Sequence, residues 1–160
     1  ANGFATIALA THLAVDARRW AEELARARQQ ALAALERGHD VLVHSATGPD
    51  DPRVKLLGDA LQSPGASQEE VSLRIGSGLG EVLSDLVREA QLTRAVVSGG
   101  DSSGQACIAM GLSAVTALAP LAPGAPLCRA RSRHAHLDGL EIALKGGQMG
   151  SDGFFVSAKG

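Results

Sequence analysis

Residues 95–104, Ala95-Val96-Val97-Ser98-Gly99-Gly100-Asp101-Ser102-Ser103-Gly104, read as a buried strand that runs into a glycine turn at the start of a helix. A short apolar run bounded by glycine and small polar residues is what a strand covered on both faces needs. Glycine lets backbone amides approach an anion closely, and a helix N-terminus adds roughly half a positive charge there. An anion suits this turn. A plain strand-to-helix turn with Asp101 or Ser102 as N-cap has the same pattern. The helix is expected over Gln105 to Met110, closed by Gly111, with a further strand from Leu112 to Leu118.

Working outward, a second glycine loop follows a second apolar run: Leu144-Lys145-Gly146-Gly147-Gln148-Met149-Gly150-Ser151-Asp152. Its lysine can pair with phosphate, and two glycine loops at strand ends of one open sheet mark the usual ligand crevice. A Gly-rich hairpin with a solvated Lys145 is the plain alternative. Between the two loops, Pro120 to Pro126 reads as a link, and Leu127–Arg131 and Leu140–Lys145 as strands joined by a polar turn at His136-Leu137-Asp138-Gly139. Phe154 to Ala158 begins a last short element.

Upstream, Thr6–Leu9 reads as a strand, and Asp16 caps a helix in which Trp20, Leu24, Ala27, Ala31 and Leu35 recur at helical spacing until Gly38. Val41–His44 is another strand, and Ser45–Pro52 a loop. Ser67 and Glu70 have capping-box spacing ahead of a long helix reaching Ala90. Strands alternating with helices imply a three-layer, Rossmann-like α/β fold: a mainly parallel sheet with helices on both faces and an antiparallel pair near the C-terminus.

Several patterns are set aside. Gly76-Ser77-Gly78-Leu79-Gly80 imitates a dinucleotide fingerprint, but Glu81 replaces the third glycine and the segment sits inside a helical pattern. Close helix packing explains it better, and a dinucleotide-dependent oxidoreductase is disfavoured. No glycine-lysine pair is followed by Ser or Thr, so the usual P-loop is excluded. His134, His136 and Asp138 fall on one side of a strand but lack a third nitrogen or sulfur ligand nearby, so no metal site is assigned. His44 and Ser45 end a strand where ligands bind and can edge a site.

Composition bounds the partners. The 160 residues suit one domain, and a net charge of −2 with one Trp, three Phe and no Tyr leaves neither a basic field nor stacking platforms for nucleic acid. The uncharged stretch Gln105–Cys128 is interrupted by Gly111, Pro120, Pro123, Gly124 and Pro126, so no membrane span is expected. Two cysteines, Cys107 and Cys128, both among apolar residues, suit buried thiols in a reducing, cytoplasmic setting. A start at Ala1 without Met suggests a fragment.

These residues resemble the four-carbon acid sugar kinases, whose carboxyl-terminal half is a nucleotide-binding domain. The family hallmark Gly-Gly-Asp-Thr-Ser-Gly corresponds to Gly99–Gly104, with Ser102 for Thr. A Pro-Gly-Val-Pro-Trp-like segment is loosely matched by Pro123–Leu127, and Leu-Lys-Ser-Gly-Asn-Phe-Gly-Gly by Leu144–Ser151, followed by Asp152, Gly153, Phe154 and Phe155.

The resemblance implies that residues 1–160 form a single nucleotide-binding domain, a piece of a longer two-domain kinase that uses ATP and Mg2+ to phosphorylate threonate, erythronate or oxo-tetronate. The sugar acid would be held mainly by the family's N-terminal domain, with a homodimer as the candidate assembly. Gly99, Gly100, Asp101, Ser102, Ser103 and Gly104 would contact nucleotide, with Lys145, Gly146 and Gly147 opposite. By analogy with ribokinase-type enzymes, Asp101 would be the catalytic base, with metal contact or helix capping as its other roles. Gly146, Gln148, Met149 and Gly153 depart from the family pattern. That leaves a non-catalytic nucleotide- or metabolite-sensing module as the rival reading.

Overall fold

The computed structural model describes residues 3–65, 67–146 and 153–159, with Asp101 and Ser102 described by backbone alone. The chain divides into two compact units, residues 1–75 and 76–160.

In the first unit, β1 (Phe4–Ala8) leads through a 3-10 turn (Thr11–Val15) into α1 (Ala17–Glu36), and β2 (Asp40–His44) then pairs in parallel with β1. Asp16 caps α1 as its sequence predicts, its carboxylate accepting from the Arg19 amide at 2.9 Å. Gly38 takes the left-handed conformation (φ 77°) that ends the helix, its amide donating to the Leu35 carbonyl. Trp20, Ala27, Ala31 and Ala34 form the buried stripe of α1. Glu23 is buried on the same helix, accepting from the Ala10 amide at 2.7 Å and from Arg26, while Arg26 also donates to the Ala8 carbonyl. This clasp fastens the end of β1 to α1. Its burial raises the Glu23 pKa, but the Arg26 and Ala10 hydrogen bonds outweigh that and hold it below the ordinary carboxylate value.

The segment after β2 contains a helix the sequence reading missed: α2 (Pro52–Ala60), with Asp51 as N-cap and Pro52 in its first turn. α3 (Gln68–Glu89) begins with the Glu70 amide 3.4 Å from Ser67 Oγ and runs unbroken across the division between the two units. Gly76, Gly78 and Gly80 are all buried within it, so the imitation fingerprint is helical, as expected.

In the second unit, β3 (Arg94–Ser98) leads to α4 (Asp101–Ala109), followed by β4 (Leu112–Ala122), β5 (Ala125–Ser132), β6 (Glu141–Lys145) and α5 (Phe154–Ala158). Gly111 closes α4 with φ 71°. The strands form one sheet in the order β3-β6-β5-β4. β3 and β6 are parallel; β5 is antiparallel to both β6 and β4.

The fold is therefore α/β, but the single, mainly parallel three-layer sheet expected from the sequence is not what forms. There are two separate sheets among the described residues, and the larger is mixed. The reason is connection length. Parallel neighbours need a crossover, whereas β4, β5 and β6 are joined by short turns that permit only antiparallel pairing. The expected Pro-rich link is one of those turns: β4 continues through Pro120 to Ala122, Pro123-Gly124 turns the chain, and Ala122 pairs with Ala125. The antiparallel pair near the C-terminus, β5 with β6, is present as expected.

The core of this unit gathers Val87, Ala95, Met110, Cys128, Ala130, Leu137, Leu140 and Ile142, and a smaller cluster joins Ala125, Leu127, Ala143 and Phe154. Among the described residues no helix is long and apolar enough to cross a membrane.

Candidate functional site

Because β3 and β6 are parallel neighbours with Ser98 opposite Lys145, the two glycine loops leave the same end of the sheet side by side. The Gly99 amide donates to the Lys145 carbonyl at 3.0 Å, extending the ladder one residue past β3 along the end of β6. The sheet thus brings together Gly99, Gly100, Ser103 and Gly104 from one loop and Lys145 and Gly146 from the other. Gly147 and the rest of the second motif, through Asp152, lie outside the described residues.

The helix starts earlier than expected. Gly100, rather than Asp101 or Ser102, is the N-cap, so Asp101 to Gly104 form the first turn of α4 instead of a loop ahead of it. Ser103 secures that turn, its amide and hydroxyl both donating to the Gly100 carbonyl, at 3.1 and 2.7 Å. A Cβ added at Gly100 or Gly104 would meet nothing within 4 Å. Gly100 has φ −77°, so the sign of its φ does not demand glycine; the open space above it is the notable feature. The N-terminus of α4, with its amides and partial positive charge, therefore stands at the end of the sheet where β3 and β6 finish.

Lys145 Nζ lies 3.2 Å from the Gly146 carbonyl and 5.9 Å from the centroid of the Phe154 ring, a cation-π distance. Phe154 is itself buried against Ala143 of β6.

The other histidine-bearing segments are built differently. His136 Nε2 is 3.0 Å from Ser84 Oγ on α3, and the His134 ring stands 5.9 Å from that of His136. Among the described residues no three His, Cys, Asp or Glu side chains are grouped to hold a metal ion. His44 belongs to the first unit. Its Nδ1 is buried without a hydrogen-bond partner, and burial, then the Arg53 charge, lowers its pKa against the opposing effect of Asp51.

Sequence reasoning missed the clasp behind His44. Asp51 accepts from the Thr47 amide and hydroxyl (2.8 and 2.9 Å) and from the Arg53 amide and guanidinium. These bonds, led by the Arg53 and Thr47 amides, hold its carboxyl far below the ordinary range. The signal was available in Asp51-Pro52, a capping residue followed by proline at a helix start.

The family model for the nucleotide-binding C-terminal domain matches residues 2–155. The chain belongs to that family. The match includes residues of both compact units. A 3-oxo-isoapionate kinase from Paraburkholderia graminis is 44% identical over 155 residues, covering 97% of this chain and 33% of the relative.

Two 3-oxo-tetronate kinases are each 30% identical: one from Pseudomonas savastanoi pv. phaseolicola, covering 81% of this chain and 28% of the relative, and one from Cupriavidus necator, covering 86% and 30%. The domain thus spans about a third of the length of the curated relatives it matches, and its resemblance to the sugar-acid kinases is borne out.

The fold recurs in solved structures. A Haemophilus influenzae protein superposes with a TM-score of 0.73 at 19% identity, covering 96% of this chain and 34% of that one. A Bordetella bronchiseptica domain of unknown function, solved as a domain-swapped dimer with bound citrate, gives 0.67 at 23% identity, covering 98% and 34%.

Proposed function

We propose that this chain is the nucleotide-binding part of an ATP-dependent kinase that phosphorylates a small 3-oxo sugar acid, of the kind named for its kinase relatives. The observation that carries the reading is the Gly99–Lys145 hydrogen bond, which holds the turn after β3 and the N-terminus of α4 beside the end of β6. Small residues there leave room for phosphates, and oriented amides suit their charge.

In this reading the free amides at the start of α4, from Gly100 onward, and the hydroxyl of Ser102 receive phosphate oxygens, while Gly99 and Ser103 hold the turn through the bonds described above and Gly104 leaves room. Gly146 and Gly147 close the opposite side, and Lys145 supplies a positive charge. The reaction breaks the bond between the γ-phosphorus and its bridging oxygen and forms one from that phosphorus to a substrate hydroxyl oxygen. ADP leaves, and the hydroxyl proton passes to a base, for which Asp101 at the start of α4 is the candidate. Mg2+ bound to the nucleotide would neutralise phosphate charge; no residue of this chain is assigned to it. The sugar acid is bound mainly by parts of the protein outside this chain, and the assembly is a cytoplasmic homodimer.

The test is ADP release by the intact protein supplied with ATP, Mg2+ and either 3-oxo-tetronate or 3-oxo-isoapionate. ADP formed in step with consumption of one acid supports the kinase. Nucleotide binding without turnover of these or related sugar acids would instead favour the sensing module.

A further inference from the structure

We infer that Gly80 of α3 is a positioning residue for the Gly99–Gly104 turn, acting through α4; this rests on the nucleotide reading above. An ideal Cβ on Gly80 would lie 2.8 Å from Ala106 Cα and 3.0 Å from Ala106 C, and closer still to the Ala106 carbonyl oxygen. All three are backbone atoms, so no side-chain rotation relieves the clash. α3 and α4 meet here backbone to backbone, and only glycine allows it.

The consequence falls on α4. Around Gly80, α3 is anchored in the core by Val82, Leu86 and Val87, all buried. α4 has nine residues, of whose hydrophobic side chains only Ala106 is fully buried; Met110 is buried at its C-cap, and Ile108 is left 70% exposed. A methyl group at position 80 therefore moves the shorter, less anchored helix. Restoring an ordinary carbon–carbon separation takes a shift of about 1 Å. α4 begins at Asp101, so that shift is delivered to Gly100 and the first-turn amides. A misplacement of about 1 Å can cost a site on the order of 100-fold in rate.

This gives the Gly76-Ser77-Gly78-Leu79-Gly80 motif a role that neither its false likeness to a dinucleotide fingerprint nor simple packing supplies. Gly80 touches no nucleotide. It sets where the amides that would touch one are held.

The experiment compares Gly80→Ala with a control, Gly58→Ala, in the intact protein. Gly58 lies within α2, where an added Cβ meets nothing within 4 Å. Calorimetry with Mg-ADP is expected to show affinity at least about tenfold weaker in folded Gly80→Ala, with displaced amide resonances at Gly99 to Ser103, and parent affinity in Gly58→Ala. Reduced thermal stability with parent-like ADP affinity would reduce Gly80 to packing and overturn the inference.

If Gly80→Ala does not fold, the parent decides. Mg-ADP binding at the start of α4 is expected to shift the Gly80 amide resonance across its backbone contact with Ala106, and a silent Gly80 overturns the inference. A parent that binds no adenine nucleotide brings down the nucleotide reading itself, and this inference with it.

Discussion

The Gly99 amide and the Lys145 carbonyl are hydrogen-bonded at 3.0 Å, one step beyond the register that sets Ser98 opposite Lys145. Two motifs more than forty residues apart in sequence are thereby fixed as neighbours before any ligand arrives. The geometry of the turn next to that bond can be tested residue by residue.

Gly100→Val separates site from fold. The added side chain projects into open space, and circular dichroism and thermal melting of the variant show whether the fold is kept. The variant is expected to lose Mg-ADP binding, because the valine occupies the volume assigned to phosphate. A folded Gly100→Val protein that binds nucleotide like the parent moves the phosphate site elsewhere.

Lys145→Ala is expected to be milder. The Gly146 carbonyl and the Phe154 ring are among the contacts of Lys145, and the β3–β6 ladder runs through backbone groups that the substitution keeps. Calorimetry should show nucleotide binding weakened by about 1–3 kcal/mol, the range for losing a charge-assisted hydrogen bond. An unchanged affinity would return Lys145 to a solvated surface role.

Much of this site was legible in the residues. The apolar runs at Ala95–Ser98 and Leu140–Lys145, each followed by glycines, identified β3 and β6. Asp16, Ser67 and Gly38 marked helix ends because capping is local chemistry that sequence exposes directly. Sheet pairing was less legible. Apolar runs identify strands without their neighbours, so the run of β4 through Pro120 to a Pro123-Gly124 turn was read as a link, and the mixed sheet as a parallel one. The Gly80–Ala106 contact was invisible for a related reason: the glycine motif signals a close approach but does not say against what.

The His44 environment makes stability depend on pH. Burial, then Arg53, lowers the folded-state pKa of His44 below its ordinary 6.5. The unfolded chain therefore takes up the proton first, and the stabilisation is fully present above about 6.5 and lost as pH falls below it. Thermal melting in the intact protein should show stability declining from pH 7 towards pH 5, with a shallower decline in His44→Gln. The Asp51 carboxyl, also depressed, loses its contribution only below 3.8 and so does not confuse that window. An identical slope in parent and His44→Gln would remove His44 as the source.

The central claim is that adenine nucleotide sits where the loops after β3 and β6 meet, and the most direct measurement is a Mg-ADP titration of the intact protein followed by backbone amide resonances. The account predicts saturable shifts that are largest at Gly99 to Gly104 and at Lys145 and Gly146, and tighter binding of ADP than of NAD. Largest shifts in the β4–β5 hairpin, no saturable shift with ADP, or tighter binding of NAD would contradict it.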